Sequence, residues 1–371
     1  MITKRILAIA LVLGCILSRI FAMTTDGQIQ KNGTRPEKST VVILPIVFYT
    51  PETKLAGGIG GLMAFHPPGS PVGGRPWALS FYVICTQLKQ FSAKMEPEIY
   101  LQDEKSLIKG KLDIERYPNK FWGFGENAPS SGEEGYTPRI FSVEVSFQRK
   151  ILPRASLYAG IQVGFERLKI LRADSAGRIS AGAVAGASGG TVAGLGFVLT
   201  RDNRDNIFYP HWGDYWQVST VFNGKVLGGD FAYTSLKIDL RKYLPISTSQ
   251  VLAVQGVIKA VSGSPPFYNY SKFGGDSTMR GYYSGRYRDK IMAAVQAEYR
   301  MTLSGRFGAV GFVGLGNVAP RLGAFDFGGL KSSIGAGLRF RISRGEATNL
   351  RMDIAYGKGS SGFYFTANEA F

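Results

Sequence analysis

Val251–Val261 reads VLAVQGVIKAV. Its even positions, Leu252, Val254, Gly256, Ile258 and Ala260, are all apolar or glycine, whereas the odd ones include Gln255 and Lys259. A period of two sends successive side chains to opposite faces of a strand, so one face meets an apolar phase and the other meets water. The split recurs in 140–151, where Phe141, Val143, Val145 and Phe147 oppose Ser142, Glu144, Ser146 and Gln148. In 231–244, Leu236, Ile238 and Leu240 oppose Lys237, Asp239 and Arg241.

Such runs predict sixteen strands, at 41–49, 54–65, 75–86, 90–101, 105–117, 138–150, 154–167, 190–201, 213–223, 231–243, 250–262, 290–303, 307–317, 332–342, 348–357 and 361–371. The expectation is an all-β protein, a sixteen-stranded antiparallel transmembrane β-barrel, with the even count of a single-chain outer-membrane barrel. Composition agrees: Gly is 48 of 371 residues, aromatics are 12%, and charged residues are 19%, against about 25% in soluble domains. The Ala/Gly/Ser tract Ser180–Gly190 reads as a mobile loop.

Alternation alone does not separate a lipid-facing barrel from a soluble sandwich, whose apolar face packs on a second sheet. Three features lean toward the membrane. The chain ends on Phe371 after Phe363-Tyr364-Phe365, an aromatic final strand that reads as a C-terminal strand signal. Aromatics gather at strand ends, in Tyr117, Phe121, Trp122 and Phe124 and in Phe208, Tyr209, Trp212, Tyr215 and Trp216, where interface girdles are expected. Finally, Lys4 and Arg5 precede an apolar run from Ile6 to Leu17 and end at Ala22, so residues 1–22 read as a signal peptide. Gly14-Cys15 gives a weak lipoprotein alternative, and an ordinary cysteine of the apolar run is the simpler reading.

Residues 23–40 are polar and read as a disordered lead-in to a barrel spanning 41–371. Losing residues 1–22 removes three basic residues and no acidic one, which lowers the formal charge from +17 to +14. Export disfavours a nucleic-acid partner, and a positive lumen, or loops lying among anionic lipid headgroups, is the more economical reading, with outer-membrane lipid and lipopolysaccharide as the expected partners. Cys85 is then the lone cysteine, so no internal disulfide is available. His66 and His211 are the only histidines, both beside Pro in predicted turns, which leaves no catalytic triad, metal site or cofactor to assign.

The eleventh and twelfth strands are joined by nearly thirty residues, where a hairpin turn takes about two to five. Within this connection Phe273–Asp289 reads FGGDSTMRGYYSGRYRD, rich in glycine, arginine and aromatics, as befits a loop that packs. Its centre resembles the signature loop of the bacterial surface-antigen family, the outer-membrane assembly and translocation barrels of the BamA and TamA type. Arg280, Gly281 and Tyr282 match that family's Arg-Gly-aromatic tip. Asp202-Asn203-Arg204-Asp205-Asn206 with Pro210 and Gly213 is similar to its Asp-rich turn, although plain turn chemistry explains these residues as well. Ala297-Glu298-Tyr299-Arg300, Leu350-Arg351-Met352-Asp353 and Gly362–Phe371 resemble family strands. The likeness is specific over 190–371 and looser before that, resting on YPNKFWGFGEN at 117–127.

The resemblance implies a loop folded into the lumen with Arg280 against an acidic wall, and Glu298 lies on the polar face of its strand. Taken alone, the two read as a solvated loop charge and a solvated lumen charge. Phe312-Val313-Gly314-Leu315-Gly316 departs from the family, placing Gly314 where an Asp is expected, so Asp353 on another strand is the candidate substitute and Asp at 314 is expected to tighten the loop. The resemblance further implies a monomer of the barrel-only branch, without periplasmic substrate-binding modules, acting on unfolded outer-membrane or secreted polypeptides. A passive pore or structural surface barrel is the alternative, since sixteen strands can enclose water.

Overall fold

A computed structural model describes residues 40–50, 54–67, 74–342 and 348–371. The predicted signal peptide and all but the last residue of the lead-in lie outside the described residues. Sixteen long strands form the wall: β1 (Thr40–Thr50), β2 (Lys54–Phe65), β3 (Trp77–Thr86), β4 (Phe91–Leu101), β5 (Ser106–Arg116), β6 (Glu134–Leu152), β7 (Leu157–Ala173) and β8 (Gly189–Asp202), then β9 (Gly213–Asn223), β10 (Tyr233–Ser247), β11 (Gln250–Gly263), β12 (Ile291–Ser304), β13 (Phe307–Ala319), β14 (Lys331–Arg341), β15 (Asn349–Gly357) and β16 (Ser360–Ala367). Each pairs antiparallel with the next, as β7 does with β8 and β11 with β12. Among the described residues no ladder joins β16 to β1.

Alternation decides which side chains face in. In β11, Val251, Ala253, Gln255 and Val257 are buried inside while Ile258 is exposed outward. Among the described residues no helix is long and apolar enough to cross a membrane. The three longest described connections, 117–133, 174–188 and 264–290, share one rim, which is taken as the outer one because the longer loops of such barrels face outward.

Three long connections on the outer rim pack together as a cap. Phe121, Tyr136, Leu168, Ile179, Phe267 and Tyr268 make one buried cluster drawn from 117–133, 174–188, 264–290 and the ends of β6 and β7. Arg286 Nη2 donates to Ala128 O at 3.0 Å, Arg288 Nη2 to Lys120 O at 3.0 Å, and Gly125 N to Arg288 O at 3.0 Å. The expectation of a mobile tract at 180–190 is corrected here. Ile179 is buried, Val184 packs on the same cluster, and Ala185 O accepts from Phe267 N at 2.8 Å.

Several predicted elements also shift. The sixth strand runs beyond 138–150, and the seventh starts at Leu157 but runs past 167 to Ala173, because both rise past the wall at the outer rim to carry the cap. The last strand stops at Ala367 rather than reaching 371, because Asn368 takes a left-handed φ of 68° and turns the chain inward. Aromatics expected in girdles divide between the two faces. Trp212 is exposed, whereas Phe121, Phe208, Tyr209 and Tyr215 are buried inside.

Candidate functional site: a loop locked into the lumen

The connection from β11 to β12 folds back between the walls. A short hairpin of Ser271–Phe273 with Tyr287–Asp289 forms its neck. Phe273, Met279 and Tyr282 then pack on lumen-facing Val257, Met292 and Val318, which seats the tip by apolar burial before any charge is counted.

Arg280 lies at the tip with a fully buried guanidinium. Its Nη1 donates to Asp353 Oδ2 at 2.5 Å, and its Nη2 pairs with Glu298 Oε1. The guanidinium carbon also stacks 3.5 Å above the Phe312 ring. Gly281 has a φ of 97°, and a Cβ there would meet the Tyr356 carbonyl carbon at 2.8 Å, so only glycine passes so close to β15. Gly281 N donates to Tyr364 Oη at 2.8 Å, and Gly281 O accepts from Ser360 Oγ. Tyr282 Oη donates to Ser332 O at 2.7 Å and accepts from Lys358 N at 2.8 Å. The tip thus joins β12 to the final hairpin, β15 and β16.

The structure brings Arg280, Gly281, Tyr282, Glu298 and Asp353 together. It also adds residues that the sequence reading left out of the site. Arg300 Nε donates to Glu298 Oε2 at 2.8 Å and its Nη2 to Phe371 O at 2.9 Å. Arg339 holds Asp353 Oδ1 at 2.6 Å and Glu369 Oε2 at 2.7 Å, and Arg351 Nε lies 3.6 Å from Asp353. Four buried arginines therefore share Glu298, Asp353 and Glu369 in one lumen network. The available signal was parity: Arg300, Arg339, Arg351 and Asp353 all fall on inward positions of their strands.

Two expectations meet the structure differently. Phe363 and Phe365 face outward at 67% and 48% exposure, but Phe371 is buried inside with Tyr243, Val251 and Ala253, away from lipid. At Gly314 an added Cβ would lie 3.0 Å from Met279 Sδ and 3.0 Å from Ser333 Oγ, so an acid there would have to displace the Met279 side chain of the tip.

The Asp-rich turn, 203–212, crosses the inner mouth as a strap. Asp202 is buried and receives Arg204 Nε at 2.9 Å and Nη2 at 2.7 Å, with Arg75 Nη1 at 2.6 Å. Asn206 Oδ1 accepts from the backbone of Phe208 and Tyr209, and Asp205 Oδ1 from that of His211 and Trp212. Burial pushes the Asp205 carboxyl up, but the His211 hydrogen bonds, with Trp212, outweigh it and hold the carboxyl below its ordinary value. Pro210 is buried and Gly213 closes the strap with a φ of 105°. Phe208 inserts among Leu62, Ala64 and Ala78 of β2 and β3, and Arg341 of β14 lies 5.4 Å over the Tyr209 ring. Neither contact is to a strand adjacent to the strap's own, so the strap spans the opening.

Among curated proteins none matches this chain. Solved structures of similar fold include BamA from Haemophilus ducreyi lacking POTRA domains 1-3, at 14% identity and a TM-score of 0.55 over 90% of this chain and 69% of that one. CdiB from Acinetobacter baumannii is similar at 11% identity and a TM-score of 0.56, over 89% of this chain and 59% of that one. CdiB from Escherichia coli matches at 11% identity and a TM-score of 0.52, over 91% and 62%. The Omp85 superfamily domain matches residues 80–371, most of the chain, and with the locked lumen loop on the same residues the chain belongs to the Omp85 superfamily.

Proposed function

We propose that the chain is an outer-membrane insertion or translocation factor for polypeptides, exported by its signal segment and acting as a monomer without catalytic chemistry. One observation carries this reading: the loop tip is fastened to the final hairpin, β15 and β16, and among the described residues the outer edge of β16 joins no ladder to β1. An exposed strand edge is a template for an incoming strand. In this reading the buried lock fixes the position of that edge, so that strand exchange at the seam and release of the loop are coupled.

A passive pore is the weaker reading, because the outer cap, the lumen loop and the inner strap all lie across the path. Depleting the protein and following both the outer-membrane proteome and small-solute uptake separates the two. The proposal expects loss of other barrels or of exported polypeptides with uptake unchanged. Slower uptake with an intact proteome overturns it.

A further inference from the structure

The outward face of β5, β6 and β7 changes character abruptly toward the outer rim. On β6 the outward positions run Arg139, Phe141, Val143, Val145, Phe147, Arg149. Ile114, Leu112 and Ile108 of β5, and Phe165, Val163 and Ile161 of β7, lie beside this apolar run. At about 3.4 Å per residue and a tilt of about 40°, Arg139 and Arg149 stand about 26 Å apart along the membrane normal, close to the height of a lipid-facing band. The two arginines therefore mark its upper and lower limits.

At the upper limit the charges crowd. Arg116 lies directly opposite Arg139, and Arg139 directly opposite Lys169. Arg167 faces Phe141 one step below, and Arg172 faces Thr137 one step above. All five side chains are exposed, and among the described residues no hydrogen bond or ion pair engages their head groups. The neighbouring acids are turned away or occupied. Asp113, Glu115 and Glu166 alternate to the inner face, Glu133 pairs with Lys120, Glu134 with Arg178, and Asp174 accepts from Gly135 N. Like charges placed directly opposite across strands repel, so the row is an arrangement that an anion would stabilise.

We propose that Arg116, Arg139, Arg167, Lys169 and Arg172 form a binding site for the phosphates of an anionic outer-leaflet lipid, one whose head group carries more than one phosphate. The row spans two strand spacings, about 10 Å, too wide for one phosphate to bridge. Guanidinium forks grip phosphate oxygens in pairs, and Phe141, Phe165 and Val163 directly below offer the surface for acyl chains.

The test is native mass spectrometry of the full chain folded in detergent, with bisphosphorylated lipid A, its dephosphorylated form and phosphatidylcholine as probes. Wild type is expected to retain bisphosphorylated lipid A at least about tenfold better than the other two. The combined change Arg116→Gln, Arg139→Gln, Lys169→Gln is expected to abolish that preference, while Arg149→Gln at the opposite limit keeps it. Should the triple variant fail to fold, Arg139→Gln alone is expected to weaken retention about fivefold. Equal retention of dephosphorylated lipid A by wild type, or undiminished retention by either folded variant, overturns the site.

Discussion

Removing the guanidinium of Arg280 tests the lock most directly. Breaking a fully buried ion pair from one side costs about 3–5 kcal/mol. Here the low end applies, because neither carboxylate is orphaned: Glu298 keeps Arg300 at 2.8 Å and Asp353 keeps Arg339 at 2.6 Å. A loss of about 3 kcal/mol is roughly 150-fold in the equilibrium for loop opening. Global unfolding of such a barrel is a poor readout, and local opening is followed better by amide hydrogen exchange. In Arg280→Ala, amides of 276–284 should exchange roughly 150-fold faster while those of the β3–β4 ladder keep their rates. Asp353→Asn should loosen the same amides, and the double variant should fall short of the sum by about 1 kcal/mol or more, since both changes break one contact. Unchanged exchange at 276–284, or strict additivity, would show that the contact does not hold the loop.

Phe208→Ala empties an aromatic site among Leu62, Ala64 and Ala78, a loss of about 3–5 kcal/mol that should release the strap and raise single-channel conductance in planar bilayers; an unchanged conductance would show that the strap does not obstruct the mouth. Cys85 shares the outward face of β3 with Leu79, Phe81 and Val83, so a water-soluble maleimide should label it slowly in membranes and rapidly after denaturation. The Asp205 carboxyl is held below its ordinary value of 3.8, so the stability it adds is full above that pH and disappears as pH falls through the lowered value. Strap proteolysis should rise with acid over that range in wild type and lose this component in Asp205→Asn. Gly314→Asp should loosen the loop by pressing on Met279, seen as faster exchange at 276–284, and slower exchange would refute the steric argument.

The wall was legible because a period of two is imposed by strand geometry at every residue, and lipid on one side with water on the other writes it into composition. Val251–Val261 is the clean case. The cap and strap were not legible, because loops that pack on one another carry no period. Phe121 and Phe208 look like girdle residues by type and spacing, and only the path of the chain turns them inward. Phe371 was misplaced for a related reason: the last strand was read through to residue 371, but one left-handed residue, Asn368, ends it at Ala367. Arg280 and Glu298 were legible as a pair only through the family resemblance. On the residues alone, nothing fixes which of several lumen carboxylates the tip would reach.

The glycine at 314 shows how the lock was rebuilt around that departure. Met279 fills the space beside Gly314 and so keeps the tip from approaching β13 more closely. From β13 Arg280 receives a ring instead of a charge, Phe312 beneath the guanidinium at 3.5 Å. Its second carboxylate comes from Asp353 on β15, next to the last strand. That exchange shifts part of the tip's hold from the middle of the wall to the hairpin at the seam. Arg339 and Arg351 beside Asp353 then become part of the lock, because a carboxylate shared by three arginines is fixed in place. Withdrawing the tip would leave Arg351 and Asp353 on the hairpin and Arg339 beside them on β14, with a formal charge one unit less positive. The hairpin would keep its own wiring and lose Arg280's link to Glu298 of β12, while Arg300 of β12 would still hold Phe371 O at 2.9 Å.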